Sequence, residues 1–248
     1  MNTTNGRVAD KVAIVTGGAR GMGESHSHTL AAEGARVVIA DVLDEPGEAL
    51  AGAIGPAARY LNLDVSDPEC WNRAIDYVID EFGRVDVLVN NAGVAAGHPL
   101  IGYPIDEWKT IIDVNLSGTF YGMRAVAGVM IEQGIGSIIN ISSVEGLRGS
   151  HQAIGYSASK FGVRGLTQSG ALQLAPGGVR VNSVHPGHID TPMTKGFSAS
   201  SLRIPLGRSA MPMEVSNAVL FLASDESSYI TGAELAVDGG LISGIPIA

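Results

Sequence analysis

Short apolar runs rich in Val, Ile and Leu alternate along this chain with longer segments of helical period, and this alternation restricts the fold more than any other feature. The runs are KVAIVTG from Lys11, RVVIAD from Arg36, ARYLNLD from Ala58, VDVLVNNAG from Val85, GSIINIS from Gly136, VRVNSVHPG from Val179 and ELAVDGG from Glu234. Several are apolar on both faces, as strands are when helices cover a parallel sheet on each side. The helical segments run near Gly21–Glu33, Pro68–Phe82, Ile105–Gln133, Gln152–Ala175 and Pro212–Ala223. Gly34, Gly83 and Gly134 are placed as C-terminal stops and Asp67 as an N-cap. The expected fold is α/β, a doubly wound parallel sheet flanked by helices. No repeat, Pro-rich linker or low-complexity stretch divides the 248 residues, so a single domain is expected.

Charge narrows the partners. With 16 Lys and Arg against 25 Asp and Glu, the net charge of −9 repels a nucleic-acid backbone or an anionic membrane, and a small-molecule partner is expected. No apolar run reaches the ~18 residues a membrane span needs, and the N-terminus lacks the basic and apolar regions of a signal peptide. The single Cys70 has no internal disulfide partner and falls in an apolar-periodic stretch, which reads as a buried thiol in a reducing compartment. A cytoplasmic protein is the expectation.

The first strand ends in Thr16-Gly17-Gly18-Ala19-Arg20-Gly21-Met22-Gly23 and leads into a helix. Such a turn presents backbone N–H groups at a positive helix end, and the missing Cβ atoms admit a pyrophosphate. Its spacing differs from G-x-G-x-x-G, and no Lys-Ser/Thr pair follows to make a P-loop. Glycines there also serve tight packing. Asp41 ends the second strand about twenty residues past the glycines, where a carboxylate accepts from a ribose diol and repels a 2′-phosphate, favouring NAD over NADP. Arg20 argues the other way. Asp64, at the end of the third strand, is placed to accept from an adenine amino group.

Ser143 closes the fifth strand, and Tyr156-Ser157-Ala158-Ser159-Lys160 follows in a helix. Positions i and i+4 share a helical face, so the Lys160 ammonium lies beside the Tyr156 phenol. A neighbouring cation favours phenolate, which lets Tyr156 exchange a proton with a substrate oxygen to which Ser143 donates. Alone, the pair also reads as an ordinary amphipathic helix. His26 and His28 are two apart and off one face, so no metal site is expected; His98, His151 and His188 fall in loops near the substrate mouth.

In their order, TGGARGMG, Asp41, Asp64, NNAG at Asn90–Gly93, Asn115, Ser143, YSASK and Pro186-Gly187 resemble the short-chain dehydrogenase/reductase family over nearly the whole chain. The resemblance implies a one-domain Rossmann-like fold with a seven-stranded parallel sheet. It implies Tyr156 as acid/base, Ser143 as donor to the substrate oxygen, Lys160 as the residue that lowers the Tyr156 pKa and binds the nicotinamide ribose, and Asn115 as holder of a relay water. By the same resemblance Gly17, Arg20, Met22 and Gly23 line the pyrophosphate, Asp64 and Val65 meet the adenine, and Asn91, Ala92 and Gly93 run along the adenosine ribose. Pro186, Gly187, Ile189, Thr191 and Thr194 close over nicotinamide and pyrophosphate. Asn90 reads better as a kink that stabilises the sheet.

A substrate lid is expected at about 188–211. Phe197, Leu202 and Ile204, with Val94, Leu100, Ile101, Leu147 and Met193, suggest an apolar pocket for a secondary alcohol or ketone. The stretches ADVLDEPGEAL, RVNSVHPG and SSYITGAELAVDGG look like those of the bacterial 3α/20β-hydroxysteroid dehydrogenases, which implies a hydroxysteroid. Glu145 and Arg148 near the mouth equally suit a polyol or hydroxy acid. A 3-oxoacyl carrier-protein reductase is the nearest rival, weakened because MIEQGIG and SGALQLA offer no basic residue to an acidic carrier. A non-catalytic dinucleotide-binding protein is disfavoured by the presence of both Tyr156 and Lys160. Surplus apolar residues on the helices around Asn115 and Tyr156, and the uncharged tail LISGIPIA, point to a homotetramer.

Overall fold

The computed structural model describes residues 6–151, 153–196 and 202–244. Its strands are β1 (Val12–Thr16), β2 (Arg36–Asp41), β3 (Ala58–Asn62), β4 (Val87–Asn90), β5 (Gly136–Ile141), β6 (Val179–Pro186) and β7 (Glu234–Val237). They form one seven-stranded sheet in the order β3-β2-β1-β4-β5-β6-β7, with every pairing parallel. The strand order reverses between β1 and β4, and in such sheets the crevice beyond the carboxyl ends of those strands is where ligands bind.

Alternate residues of the strands feed two cores. Ala13, Val15, Val37, Ile39, Val87 and Val89 pack with Leu30 and Leu50 and with Val215 and Val219, whereas Val12, Ile14, Val38, Ala40 and Leu88 pack with Trp71, Val78, Val126 and Met130. The helices are α1 (Gly21–Ala32), α2 (Asp44–Ile54), α3 (Pro68–Phe82), α4 (Ile105–Ile112), α5 (Gly118–Gln133), α6 (Ile154–Leu174) and α7 (Pro212–Ala223), of which α1, α2, α3, α5 and α7 supply these partners. Asp67 caps α3 by accepting from the Glu69 N–H, and Gly83 and Gly134 close α3 and α5 in the left-handed conformation, as the sequence suggests.

Two features depart from the sequence reading. Helix α2 is an addition: Pro46 and Gly47 look like breakers, but Pro is tolerated in a first turn. Gly47 is required because a Cβ there would lie 2.2 Å from the Tyr60 ring. The segment Ile105–Gln133 is helical throughout but interrupted by a π-turn over Asp113–Ser117, centred on Asn115. Such turns shift backbone groups out of the regular ladder and recur at functional sites.

Candidate functional site

The glycine turn after β1 is closed by close approach. Gly17 and Gly21 take φ of +57° and +60°, which only glycine adopts freely. A Cβ on Gly23 would stand 2.0 Å from the Gly17 carbonyl oxygen. Thr16, which the sequence reading passed over, sews this turn to the chain after β4. Its Oγ1 accepts from the Asn91 and Ala92 N–H groups at 3.0 Å each, while the Asn91 amide donates to the carbonyls of Thr16 at 2.9 Å and Gly17 at 3.1 Å. Asn90 donates to Asn140 at 2.9 Å inside the sheet, in keeping with its structural reading.

The buried Asp41 carboxylate accepts from the Ala19 N–H at 3.0 Å and the Leu43 N–H at 3.2 Å. Carboxylate oxygens hold two lone pairs each, so both retain capacity for a further donor. Val42 beside it is 57% exposed, and Arg20 is exposed. Asp64 accepts from the Ser66 N–H at 2.9 Å and hydroxyl at 2.6 Å through a single oxygen.

These residues surround a cleft of about 500 Å³. Gly17, Arg20, Met22, Asp41, Asp64, Val65, Asn91, Ala92, Gly93 and Thr191 line it. Gly23 lies under the turn rather than in the wall. Pro186 ends β6 opposite Val237, and the Gly187 N–H donates to the Val237 carbonyl at 3.0 Å. Ile189 is buried, and the Thr194 hydroxyl donates to its carbonyl at 2.5 Å. Thr194 therefore shapes this segment from within.

Helix α6 sets Tyr156 and Lys160 on one face, with Nζ 5.5 Å from the phenol ring centroid. The buried ammonium donates to the Ile141 carbonyl at 2.8 Å. Ser143 follows β5, its Oγ accepting from the Glu145 N–H at 3.1 Å. The Asn115 side chain accepts from the Val94 N–H at 2.8 Å and donates to the Val94 carbonyl at 2.9 Å and to Ser159 at 3.1 Å. A Cβ on Gly93 would lie 3.4 Å from Asn115 Oδ1 and 3.6 Å from Lys160 Nζ, so the cleft wall adjoins the Tyr156 cluster.

The electrostatics differ from the sequence expectation. Burial pushes the Tyr156 phenol up to about 12, against the hydrogen bond from Ser143, and the nearby Glu145 carboxylate adds to the rise. Burial pushes Lys160 down to about 8. Desolvation, and not the neighbouring ammonium, thus sets the direction of the phenol shift.

At the mouth, Leu100 and Ile101 are 73% and 94% exposed, and Met193 is half exposed. Ile204 is buried against Val144 and Leu241 and belongs to a small core, while Phe197 lies outside the described residues. The 188–211 segment leaves and returns at one neck. Asp190 N–H donates to the Ala210 carbonyl at 2.9 Å, Ala210 N–H to the His188 carbonyl at 3.0 Å, and His188 Nδ1 meets Ser209 Oγ at 3.1 Å. Among the other histidines, His26 is fully buried with Nδ1 2.8 Å from Ser216 Oγ, and burial pushes its pKa down to about 3. His98 pairs with Glu107. Cys70 is partly exposed rather than buried, its thiol donating to Asp67. No helix among the described residues is long and apolar enough to cross a membrane.

The family model described as enoyl-(acyl carrier protein) reductase matches residues 17–242. A 3-alpha-(or 20-beta)-hydroxysteroid dehydrogenase of Mycobacterium tuberculosis is 55% identical over 97% of this chain and 93% of its own length. A trans-4-hydroxycyclohexanecarboxylate dehydrogenase of Sinomonas cyclohexanicum is 48% identical over 98% of this chain and 97% of its own. The crystal structure of gox2181 superposes with a TM-score of 0.92 at 36% identity, covering 96% of this chain and 98% of that one. With the sheet order, the glycine turn and the Tyr156–Lys160 pair, these likenesses establish that the chain belongs to the short-chain dehydrogenase/reductase family, oxidoreductases that use nicotinamide cofactors.

Proposed function

We propose that this protein is an NAD-dependent dehydrogenase of hydrophobic secondary alcohols, with hydroxysteroids as the leading substrate class. The observation that carries the reading is one continuous cleft. Its far end holds the Asp41 carboxylate beside the apolar Val42, and its near end, at Gly93, adjoins the Lys160 and Asn115 side chains, which a Cβ there would meet at 3.6 and 3.4 Å. The glycine turn fits a dinucleotide, since its Cβ-free face and helix N-terminus leave room and donors for a pyrophosphate. Asp41 accepts from a ribose diol there and disfavours a 2′-phosphate, to which Val42 offers no cation. A bound nicotinamide supplies the hydride donor or acceptor.

The chain's own groups do the rest. Tyr156 exchanges a proton with the substrate oxygen at its phenol, and Ser143 donates a hydrogen bond to the same oxygen. Lys160 holds a cation beside the phenol and reaches the ribose. Asn115, in the π-turn, ties the Val94 backbone to α6 and holds the relay water. Gly17, Arg20 and Met22 receive the pyrophosphate in a turn that Gly23 lets close beneath them, Asp64 and Val65 the adenine, Asn91, Ala92 and Gly93 the ribose, and Pro186, Gly187, Ile189, Thr191 and Thr194 the nicotinamide side. The exposed Leu100, Ile101 and Met193 suit an apolar substrate, and the hydroxysteroid dehydrogenase named above supports a steroid.

The 248 residues form one domain with 188–211 as lid, in a cytoplasmic homotetramer. Phe120 on α5 and Phe161 and Leu172 on α6 are 46%, 43% and 82% exposed, an apolar helical face that a second copy covers. Turnover of hydroxysteroids, cycloalkanols and polyols with NAD and NADP, followed at the nicotinamide absorbance, tests substrate and cofactor together. Activity confined to polyols, or to NADP, overturns the corresponding half. Light scattering that finds a monomer at micromolar concentration overturns the assembly.

A further inference from the structure

We propose that His185, buried in β6, is a positioning residue for Ser143: its imidazole ties the two strands together one residue beyond the point where Pro186 ends the ladder, and so fixes the strand end from which the Ser143 hydroxyl is presented. This rests on the reading of Ser143 as donor to the substrate oxygen.

The register between β5 and β6 runs from Gly136 opposite Val179 to Ile141 opposite Val184, and the Ser142 N–H still donates to the Val184 carbonyl at 2.8 Å. In a parallel ladder the next donor toward β5 is the N–H of residue 186. Pro186 has none. Strand β6 nevertheless runs on, paired to β7 through Pro186 opposite Val237, so β5 is released on this side just before Ser143.

His185 instead ties the strands one residue further on. It is fully buried, and its Nδ1 lies 3.0 Å from the Ser143 carbonyl oxygen. A carbonyl only accepts, so Nδ1 carries the proton. Nε2, 2.8 Å from Ser183 Oγ, accepts from that hydroxyl, whose other acceptor, the Ala233 carbonyl, is more distant at 3.4 Å. Burial keeps the imidazole below its ordinary pKa and hence neutral, so its two neighbours select one tautomer. Ser143 is then held at both ends, its carbonyl by His185 and its Oγ lone pair by the Glu145 N–H, leaving the hydroxyl proton free to face the Tyr156 side. In the sequence, His185 stands out only as a polar residue before Pro-Gly in a buried strand.

A double-mutant cycle separates positioning from mere support. His185→Phe keeps the ring volume and loses the donor. The expected kcat for cyclopentanol or a hydroxysteroid, whichever the wild type oxidises faster, falls by about 10- to 100-fold, the scale of a small misplacement at a reacting centre. Cofactor affinity by fluorescence stays within about twofold. His185→Asn, whose amide reaches the Nδ1 position, restores most of the rate. In a Ser143→Ala background, His185→Phe costs nothing further. An additive loss in that background, a parallel loss of cofactor binding, or a fully active His185→Phe overturns the proposal. If His185→Phe does not fold, Ser183→Ala carries the same cycle, because it frees the tautomer; a rate unchanged in the wild-type background overturns it. Nitrogen NMR of the wild type tests the geometry without turnover: an Nδ1–H tautomer is expected, and an Nε2–H tautomer overturns it. Full activity of Ser143→Ala alone would instead strike the parent reading, leaving the tautomer result to judge His185.

Discussion

The glycine turn after β1 and the 188–211 segment meet across the cleft, where a Cβ on Gly21 would lie 3.6 Å from Pro192, yet they are held in different ways. The turn is fixed by backbone: strand end, positive-φ glycines, and carbonyls gripped by Asn91. Among its described residues, the lid segment is fixed by a backbone neck at Ile189 and Ala210, a His–Ser hydrogen bond, a backbone bond from the Leu206 N–H to the Gly239 carbonyl at 3.1 Å, the Arg208–Glu214 ion pair, and a small core around Val144, Ile204 and Leu241. Backbone restraint gives a constant site for a constant ligand. A loop pinned at a few points lets substrate specificity change with little effect on the cofactor end. Between the two lies the Tyr156 cluster, which sets a buried ammonium beside a half-buried phenol.

Substitution within that cluster should break the comparison most visibly. Tyr156→Phe keeps the ring and removes only the transferable proton, so kcat is expected to fall by about 10²–10⁴ while cofactor affinity holds. Steady-state kinetics beside a fluorescence titration checks this. Near wild-type turnover would remove Tyr156 from the reaction, and a parallel loss of cofactor binding would tie it to the other end of the cleft.

The Tyr156–Lys160 pair also predicts a pH profile for stability in the chain without cofactor. Lys160 titrates at about 8 in the folded state against an ordinary 10.5, so below pH 8 both states hold the proton and the burial cost is fully present. Above it only the unfolded chain keeps the proton, and stability rises with pH. Tyr156 titrates at about 12 against 10.0, so above pH 10 the folded state holds the extra proton and stability falls. Urea unfolding should rise by about 1–3 kcal/mol from pH 8 to 10 and then decline. Lys160→Met should flatten the rise, and a flat wild-type curve would contradict the depressed ammonium.

What could be read from the sequence follows the same division. The sheet was legible because its strands are apolar on both faces, and the glycine turn because backbone conformation restricts residue type. Helix α2 was hidden, since Pro46 and Gly47 suit a turn as well as a helix start whose close neighbour is the Tyr60 ring, a tertiary contact no local pattern records. The spacing Tyr156-x3-Lys160 revealed proximity but not burial, so the direction of the phenol shift was missed. His185 was invisible because its use depends on the register between two strands. Ile204 looked like pocket wall because apolar loop residues carry no mark of which small core they join.

At the cofactor end a carboxylate with spare acceptor capacity can be tested directly. Asp41→Ala removes a charged acceptor, and a hydrogen bond to such a group is worth about 1.5–3 kcal/mol, so NAD affinity should drop by about tenfold or more. With Val42→Arg added, NADP use should rise, because a guanidinium pairs with a 2′-phosphate. The ratio of kcat/KM for the two cofactors measures it. A wild type that already prefers NADP would show that Arg20 outweighs Asp41.

The smallest effect belongs to the lid neck, and it sharpens the contrast most. Ser209→Ala removes the side-chain bond to His188 at 3.1 Å and leaves the two backbone bonds between Asp190, Ala210 and His188 in place. A partly buried neutral hydrogen bond is worth about 0.5–1 kcal/mol net, or about two- to fivefold. Because Ser209 and His188 are themselves assigned to neither the cofactor nor the Tyr156 cluster, the loss should appear mainly in KM for the alcohol. The limiting kcat and the NAD affinity should stay unchanged. Equal losses in alcohol KM and NAD affinity would mean that the lid and the turn act as one rigid body, and that cofactor and substrate recognition are not separately adjustable in this chain.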